Sequence, residues 1–434
     1  MVLRPGGFPE NTPGQQIVFD QVFQIIEKNY RQYWYTHIHT PAVEANKVLL
    51  SKNWEDAGKQ IFGLYGLAQW TEDAKDYALH FDLTVPFARY ILDWENEIIF
   101  PFKRYQIQPV WRGERSQKGR FKEFRQADID VIRNDQNPWV IGKNLFYDSE
   151  TLFVIQKTIE EIKNRFLPNK KVIMRINNRY LISGFFQQFK NLPLDKMYSL
   201  IDRYYKIWPD QFKDELKAFN LPDAEYTKIL AFTQTKLEDL SFDMANNETF
   251  KRGVQEIQEV LKNIQRLNEI DWLHFVYDPF IIRGLDYYTW TVYEVYFDDE
   301  MGIGSISGGG RYENLTGYID SKKDFYSWVG GSIGLSRMCY LILENFTPDQ
   351  QTVSDYLFLN FEETFGEIIS LSTTFIKDGK NIEIYPTAEK LGKQFTYADK
   401  KWIPFVVILG EGELKEKQYK IKNMKTGEEN IIGL

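Results

Sequence analysis

Four basic residues stand within nine positions of one stretch of the chain. Residues 112–120 read Arg-Gly-Glu-Arg-Ser-Gln-Lys-Gly-Arg and lie between two runs that are predicted to form strands. Arginine side chains can grip phosphate oxygens with two parallel N–H donors, so this composition suits a polyphosphate ligand. A solvated loop would have the same composition. These residues alone leave both interpretations open.

Polar side chains share one face of the second of these strands, predicted over residues 121–132. Because side chains alternate along a strand, Gln126, Asp128 and Asp130 lie on one face and the apolar residues between them on the other. The apolar face must belong to the core, so the polar face contacts either water or a ligand. Asp82 and Thr84 show the same arrangement just before a predicted helix.

Residues 282–311 combine polar groups with a run of glycines. Alternation over residues 291–296 predicts a strand, and an acidic turn then leads into a returning strand over residues 305–308. Arg283 stands before this hairpin, and three glycines at its end run into Arg311. Glycine in a strand can let a ligand approach the backbone, although an ordinary hairpin with a glycine-rich bend is the alternative.

The usual nucleotide-binding motifs are absent from the sequence. Neither G-x-x-x-x-G-K-S/T nor a G-x-G-x-x-G motif after a strand occurs. Arg337, at the start of a predicted helix and after a Gly-Gly pair, is a third cationic element. If phosphate binds, it therefore binds to arginines on an antiparallel sheet.

The elements that position these residues fall into two or three domains, as 434 residues lead us to expect. The leading part is predicted to hold helices over residues 16–30, 42–50, 87–94 and 138–166 and strands over 60–69, 76–80 and 103–111. Helical runs broken by prolines fill residues 180–268. After a linker at 347–351, strands and helices alternate, which indicates a small α/β domain ending in a hairpin.

Composition limits the classes of protein that the chain can represent. A single cysteine, Cys339, excludes an internal disulfide and indicates a reducing compartment. Four histidines without a completing Cys or acidic pattern argue against a zinc site, so no metal ligands are predicted. The net charge of −8 argues against an overall basic surface, and we find neither a signal peptide nor an apolar run long enough to span a membrane. We expect a cytoplasmic protein that does not contact a membrane.

Four blocks of sequence together resemble the histidyl-tRNA synthetase family, a family of class II aminoacyl-tRNA synthetases. They are residues 283–288 (Arg-Gly-Leu-Asp-Tyr-Tyr) and 309–315 (Gly-Gly-Arg-Tyr-Glu-Asn-Leu), which are similar to its two histidine signatures, and residues 111–124 and 331–337, which resemble class II motifs 2 and 3. Residues 40–44 (Thr-Pro-Ala-Val-Glu) resemble motif 1, which builds a homodimer interface in the family.

The resemblance implies a two-step, ATP-dependent and AMP-forming reaction. Histidine attacks the α-phosphate of ATP to give histidyl-adenylate and pyrophosphate, and the histidyl group then passes to the 3′ end of tRNA(His). Arg112 and Arg283 would hold the α-phosphate, Arg283 being the catalytic one, while Arg120 and Arg337 would hold the outer phosphates. Glu114 would seat the adenine side. ATP is expected with Mg²⁺, and no bound prosthetic group is expected.

The resemblance also implies how histidine and tRNA are bound. The ammonium group of histidine would contact Asp82, Thr84 and Gln126. Its two ring nitrogens would contact Asp130 and Tyr288. Tyr312 would close the pocket, and Arg283 would contact histidine as well as phosphate. For tRNA, the candidates are Arg115, Gln117, Lys118, Lys415 and Lys417.

The resemblance implies an α+β fold, in which a class II antiparallel sheet is flanked by helices. Residues 1–170 and 271–346 would form the two parts of the catalytic domain, and residues 171–270 a mainly helical insertion. Residues 352–434 would form the anticodon-binding α/β domain.

Two departures and one alternative accompany the resemblance. His80 stands where the family more often has Arg in the sequence before Asp82, and Ser336 replaces a common Glu of motif 3. The alternative is a non-catalytic paralogue that regulates histidine biosynthesis, but that family lacks the C-terminal domain and degrades the histidine signatures. A synthetase for another amino acid is disfavoured by residues 283–288.

Overall fold

The computed structural model describes residues 4–51, 60–66, 76–135, 145–241, 247–267, 275–281, 288–298, 303–313, 315–348 and 350–434. The chain divides into two compact units, of which one comprises Met1–Pro9 with Phe23–Ile342 and the other Glu10–Val22 with Leu343–Leu434. The boundaries of the four predicted domains remain predictions. In the described regions no helix is both long enough and apolar enough to cross a bilayer.

The first unit is organised by a mostly antiparallel sheet. Its described strands, together with those of a small second sheet, are β1 (Thr36–His37), β2 (Val43–Ala45), β3 (Gly63–Leu64), β4 (Tyr77–Leu79), β5 (Phe102–Trp111), β6 (Glu123–Asn134), β7 (Val172–Asn178), β8 (Phe275–Tyr277), β9 (Tyr288–Phe297), β10 (Ser307–Glu313) and β11 (Tyr326–Ile333). The large sheet has the order β1-β5-β6-β11-β10-β9-β7-β8, and the small sheet β2-β4-β3. Only the two edge pairs of the large sheet are parallel.

Helices cover both faces of this sheet. The helices of the first unit, the first and last of which continue into residues of the second, are α1 (Pro13–Gln32), α2 (Asn46–Leu49), α3 (Thr84–Trp94), α4 (Phe146–Phe166), α5 (Arg179–Phe186), α6 (Leu194–Asp202), α7 (Pro209–Lys217), α8 (Asp223–Thr233), α9 (Glu248–Leu267) and α10 (Leu335–Asn345). The side chain of Ile155 on α4 lies against Gly331 of β11, and Phe87 on α3 packs with Trp328 in the core. The two helices therefore contact different faces of the same strand, because neighbouring strand residues alternate in direction.

The alternation of side chains along a strand accounts for which residues of β6 are apolar and which are polar. Ala127, Ile129 and Val131 are buried, as the apolar face requires. Asp128 and Asp130 on the polar face are also buried, each with 3% of its surface exposed. The polar face of β6 is therefore largely shielded from bulk water, and its charges need partners inside the protein.

The second unit contains a small α/β domain. Its further elements are β12 (Tyr356–Phe358), α11 (Phe365–Lys377), β13 (Ile382–Ile384), α12 (Leu391–Lys401), β14 (Phe405–Ile408), α13 (Glu411–Lys415), β15 (Gln418–Asn423) and β16 (Glu429–Gly433). The sheet order is β13-β12-β14-β15-β16, with parallel pairs on both sides of β12 and the closing hairpin antiparallel. This arrangement confirms the predicted alternation and the C-terminal hairpin.

The α+β fold class is confirmed, but several predicted elements need correction. Residues 42–50 were expected to be helical, yet they form strand β2 followed by the short helix α2. The β-branched Val43 begins that strand, which pairs with β4. The strand predicted over 60–69 is only Gly63–Leu64 in the described residues, and the helix predicted from residue 138 begins at Phe146 after residues outside the described range. The insertion is helical, as predicted, from α5 to α9.

Candidate active site

A buried ion pair lies at the centre of the polar face. Arg104 on β5 is opposite Asp130 on β6 in the strand register, and its Nη2 lies 2.5 Å from Asp130 Oδ2. The Tyr312 hydroxyl on β10 donates a hydrogen bond to Asp130 Oδ1. Burial raises the pKa of Asp130 to about 7, and Arg104 opposes this rise. Both carboxylate oxygens thus have a protein partner, while lone pairs remain for a ligand donor.

The polar face continues along β5 in a chain of hydrogen bonds. Arg104 Nη1 donates to Gln106 Oε1 over 3.1 Å, and Gln106 in turn donates to Gln108 Oε1. Gln106 also donates to the Thr40 hydroxyl, and the Thr40 amide donates to Gln108 over 3.1 Å. Residues 40–44, the segment that resembles motif 1, are therefore tied to the strand that carries Arg104.

Arg104, Gln106 and Gln108 were missed as site residues. Their sequence signal was available, because they alternate with Tyr105, Ile107 and Pro109 as Gln126, Asp128 and Asp130 do on the next strand. Two polar faces on adjacent antiparallel strands must lie side by side.

Asp82 lies at the start of α3. Its Oδ1 accepts a hydrogen bond from the Val85 amide over 3.2 Å, and Thr84 is the first residue of the helix. Burial raises the pKa of Asp82, and the Val85 amide and Arg112 oppose the rise. Asp82 interacts electrostatically with Arg112, and also with Asp128 and Asp130. These residues therefore lie close to one another.

Arg112 follows β5 directly and connects the carboxylates to the basic loop. Its Nε donates to the Phe81 carbonyl over 3.0 Å, and its guanidinium lies 5.1 Å from the centre of the Phe124 ring. The two terminal nitrogens donate to no acceptor in the described part of the chain. They are available for a ligand oxygen.

Arg120 and Arg337 meet at Gly304. An atom at the Cβ position of Gly304 would lie 3.6 Å from Arg337 Nη1 and 3.9 Å from Arg120 Nη2. Arg337, in the first turn of α10, is held by the Gly119 and Ser305 carbonyls at 3.2 and 2.5 Å. Two guanidinium groups therefore approach one point, which suits a polyanion. A β-carbon at Gly304, whose φ is +87°, would occupy this space.

The remaining predicted residues occupy different positions. Tyr288 and Tyr312 are buried with their ring centres 5.9 Å apart, so they form one wall beside Asp130. Gln126 lies near Ser332. Glu114 is partly exposed, and the proposed tRNA contacts Arg115, Gln117 and Lys118 are exposed in the same loop. Lys415 and Lys417 are exposed in the second unit. Arg283 lies outside the described residues.

The glycine run packs closely against the neighbouring strands. A β-carbon at Gly309 would lie 2.2 Å from the Gly330 carbonyl oxygen and 2.6 Å from the Tyr293 hydroxyl. At Gly330, a β-carbon would collide with Asp130 Oδ1. Glycine at these two positions therefore leaves room for protein atoms between closely packed strands. The approach of a ligand to the glycine run stays a prediction.

His80 and Ser336, the two departures from the family pattern, have structural partners. The ring nitrogens of buried His80 lie 3.1 Å from the Pro41 carbonyl and 2.8 Å from the Pro109 carbonyl, and burial lowers its pKa. His80 thereby links the segment resembling motif 1 to β5. The Ser336 hydroxyl accepts from the Arg125 amide over 2.8 Å at the start of the polar part of β6.

The sheet and its charged face are those of a class II aminoacyl-tRNA synthetase, as the motif resemblance implied. Residues 211–337 match the family model described as "Histidyl-tRNA synthetase", and residues 357–434 match "Anticodon binding domain". The chain is 36% identical to the histidine–tRNA ligase of Clostridium tetani over 440 residues, which cover 99% of this chain and 95% of that protein. The histidine–tRNA ligase of Thermobifida fusca is also 36% identical, with 99% and 97% covered.

Solved structures agree with the sequence matches. The crystal structure of histidyl-tRNA synthetase from Nostoc sp. PCC 7120 superposes with a TM-score of 0.87 at 32% identity, covering 100% of this chain and 97% of that one. An ATP phosphoribosyltransferase regulatory subunit/histidyl-tRNA synthetase from Bacillus halodurans shares the fold, with a TM-score of 0.73 at 15% identity over 92% of this chain and 96% of that one. The chain belongs to the histidine–tRNA ligase family.

Proposed function

We propose that the chain is a histidine–tRNA ligase. It activates L-histidine with ATP to form histidyl-adenylate and pyrophosphate, and it then transfers the histidyl group to the 3′ end of tRNA(His). The observation that carries this proposal is the presence of an acidic region and a basic region in the first unit. In the acidic region, the carboxylate of Asp130 pairs with Arg104. In the basic region, the guanidinium groups of Arg120 and Arg337 approach Gly304. Arg112 lies between Arg104 and Arg120 in the sequence.

The acidic region suits the amino acid. Asp82, Thr84 and Gln126 bind the ammonium group, while Asp130 and Tyr288 bind the ring nitrogens and Tyr312 closes the pocket. The buried Asp130 carboxylate, aligned by Arg104 and Tyr312, supports this assignment because its orientation is set before the ligand arrives. A side chain without the matching N–H donors leaves these groups unpaired, which disfavours apolar substitutes for histidine.

The basic region suits ATP. A carboxylate oxygen of histidine forms a bond to the α-phosphorus as the bond to the pyrophosphate oxygen breaks, and negative charge passes to the leaving group. Arg112 and Arg283 hold the α-phosphate, Arg120 and Arg337 the outer phosphates, and Glu114 the adenine side. Fixed positive charge of this kind stabilises the transition state without rearrangement of the site.

Mg²⁺ enters with ATP in this proposal. Magnesium is usually held by substrate phosphates with one or two carboxylates, so a dedicated protein cage is not required. The described residues contain no group of three or more His, Cys, Asp or Glu side chains that could hold a metal ion. Magnesium supplies additional positive charge at the phosphates when it is bound.

The enzyme acts as a homodimer in the cytoplasm in this proposal. Val43 and Tyr77, on paired strands of the small sheet, expose 44% and 57% of their surfaces, and Val43 belongs to the segment that resembles motif 1. A second copy would cover these apolar side chains. The single buried cysteine suits a reducing compartment. Sedimentation at several protein concentrations measures the assembly state.

The activity is tested by amino-acid-dependent exchange between pyrophosphate and ATP with each of the twenty amino acids. We expect exchange with histidine alone. Exchange with a different amino acid, or no exchange with any amino acid, would contradict the proposal. The second outcome, combined with a folded protein, would favour the non-catalytic regulatory paralogue.

A further inference from the structure

Asp128 is a third carboxylate on the polar face for which the proposed reaction has no use. It lies on β6 between Gln126 and Asp130 in the alternation, and only 3% of its surface is exposed. Its Oδ1 is buried and accepts no hydrogen bond from the described residues. A buried carboxylate oxygen without a donor is unfavourable, so the position is suited to a donor supplied by a ligand.

Gln126 has a second buried acceptor on the same face. Its Nε2 donates to the Ser332 hydroxyl over 3.2 Å, whereas its Oε1 is buried without a partner in the described part of the molecule. Ser332 also hydrogen-bonds to the Asp128 carboxylate. One hydroxyl on β11 therefore holds both side chains, and each retains one unused acceptor atom.

The charge balance around Asp128 favours a cation. Asp82, Asp128 and Asp130 interact electrostatically with one another, and the buried cation among them is Arg104. Arg104 forms an ion pair with Asp130 and is also the cation that most strongly lowers the pKa of Asp128, with a smaller effect from Arg112. Burial raises the pKa of Asp128 to about 6, Arg104 opposes the rise, and Asp82 adds to it. Three carboxylates, Asp82, Asp128 and Asp130, are thus coupled to two arginines, Arg104 and Arg112.

We propose that Asp128 is a further substrate-binding residue, which with Gln126 accepts two N–H donors of the substrate's α-ammonium group. Asp82 and Thr84 then complete the ammonium site from the start of α3. This inference rests on the proposed function, since it assigns a ligand atom within the same pocket. It adds a charged contact that distinguishes an amino acid from an imidazole compound without an ammonium group.

The test compares histidine with two analogues, one that keeps the ammonium group and one that lacks it. Histidinol keeps the ammonium group and the imidazole, whereas 3-(imidazolyl)propionate lacks the ammonium group. Binding of both is measured by calorimetry or by competition against histidine, in the wild-type protein and in Asp128→Asn. We expect Asp128→Asn to weaken the binding of histidine and of histidinol by about tenfold to a hundredfold, because the charged contact is removed. The affinity for 3-(imidazolyl)propionate should be unchanged.

The other outcomes overturn the inference. An equal loss for all three ligands assigns Asp128 to the packing of the pocket, and no loss for any ligand removes it from binding. Asp135→Asn is the matched control, since Asp135 follows the same strand and also has a buried oxygen without a donor among the described groups. If Asp128→Asn does not fold, Asp128→Ser, which removes the charge with a smaller side chain, is compared in the same way.

The proposed function and this inference fail in different ways. A wild-type protein that binds no histidine contradicts the proposed function. A wild-type protein that binds and activates histidine, together with an Asp128→Asn variant of unchanged ligand preference, contradicts the role of Asp128 alone.

Discussion

Arg104 and Asp130 face each other across β5 and β6 with 0% and 5% of their side-chain surfaces exposed and 2.5 Å between Nη2 and Oδ2. The guanidinium group also lies 4.2 Å from the centre of the Phe87 ring on α3. A charge pair so deeply buried is costly to desolvate, and its value lies in the orientation that it gives to Asp130.

Removal of the cation is the most direct test of this pair. Arg104→Met replaces the arginine with a long apolar side chain and leaves Asp130 buried without its partner. We therefore expect the free energy of unfolding to fall by about 3–5 kcal/mol. Denaturant unfolding measures the change. Arg203→Met, which breaks the partly exposed pair with Glu215, is the control and should cost less than about 1 kcal/mol. Equal effects of the two substitutions would contradict the importance of burial.

The raised pKa of Asp130 predicts a pH dependence of stability. Burial raises this pKa to about 7, so the folded protein binds the proton more tightly than the unfolded chain does. Between about pH 4 and about pH 7 the unfolded state therefore holds fewer protons, and this group lowers the free energy of unfolding as the pH rises. A tenfold difference in proton affinity between the folded and unfolded states corresponds to about 1.4 kcal/mol.

Asp130→Asn isolates that contribution because asparagine does not titrate. We expect the stability of the wild-type protein relative to Asp130→Asn to decrease when urea unfolding is repeated at pH values from about 4.5 to about 7.5. A relative stability that stays constant over this range would show that Asp130 has an ordinary pKa.

Arg283 is the residue for which the sequence makes the strongest catalytic prediction. It belongs to the Arg-Gly-Leu-Asp-Tyr-Tyr signature. Residue 283 is outside the ranges that the structure describes. We expect Arg283→Ala to abolish histidine-dependent pyrophosphate exchange, a loss of at least about a hundredfold, because a fixed charge at the α-phosphate is removed. The fold should persist in circular dichroism, and Arg31→Ala, at an exposed position of α1, should retain exchange. Normal exchange in Arg283→Ala would exclude the assigned role.

The sequence predicted more of the site's composition than of its internal contacts. Alternation was sufficient to place Asp128 and Asp130 on one face, because strand geometry is local. It could not predict that Arg104 pairs with Asp130, since that contact depends on the register of two strands. The role of Gly330 was equally inaccessible, because the Asp130 side chain that it accommodates is two hundred positions away in sequence.

The C-terminal lysines differ in whether their charge is already paired. Lys420 lies 2.8 Å from Glu413, Lys422 lies 3.1 Å from Glu429, and Lys415 lies 3.3 Å from Glu411. Lys417 is exposed at a left-handed backbone position with φ of +54°, and no carboxylate of the described residues forms an ion pair with it. Of these four lysines, Lys417 is therefore the one whose charge is most available to a tRNA phosphate.

Lys417→Gln should consequently weaken tRNA binding more than Lys420→Gln. Each lost phosphate contact reduces the steepness of the dependence of log affinity on log salt by about 1, so titrations at several salt concentrations measure the effect. We expect Lys417→Gln to show this reduction and Lys420→Gln to show a smaller one, because Glu413 already offsets the charge of Lys420. Pyrophosphate exchange, which needs no tRNA, should be unchanged in both variants. If neither variant alters affinity or its salt dependence, the lysine-rich strand is a solvated edge and tRNA binds elsewhere on the chain.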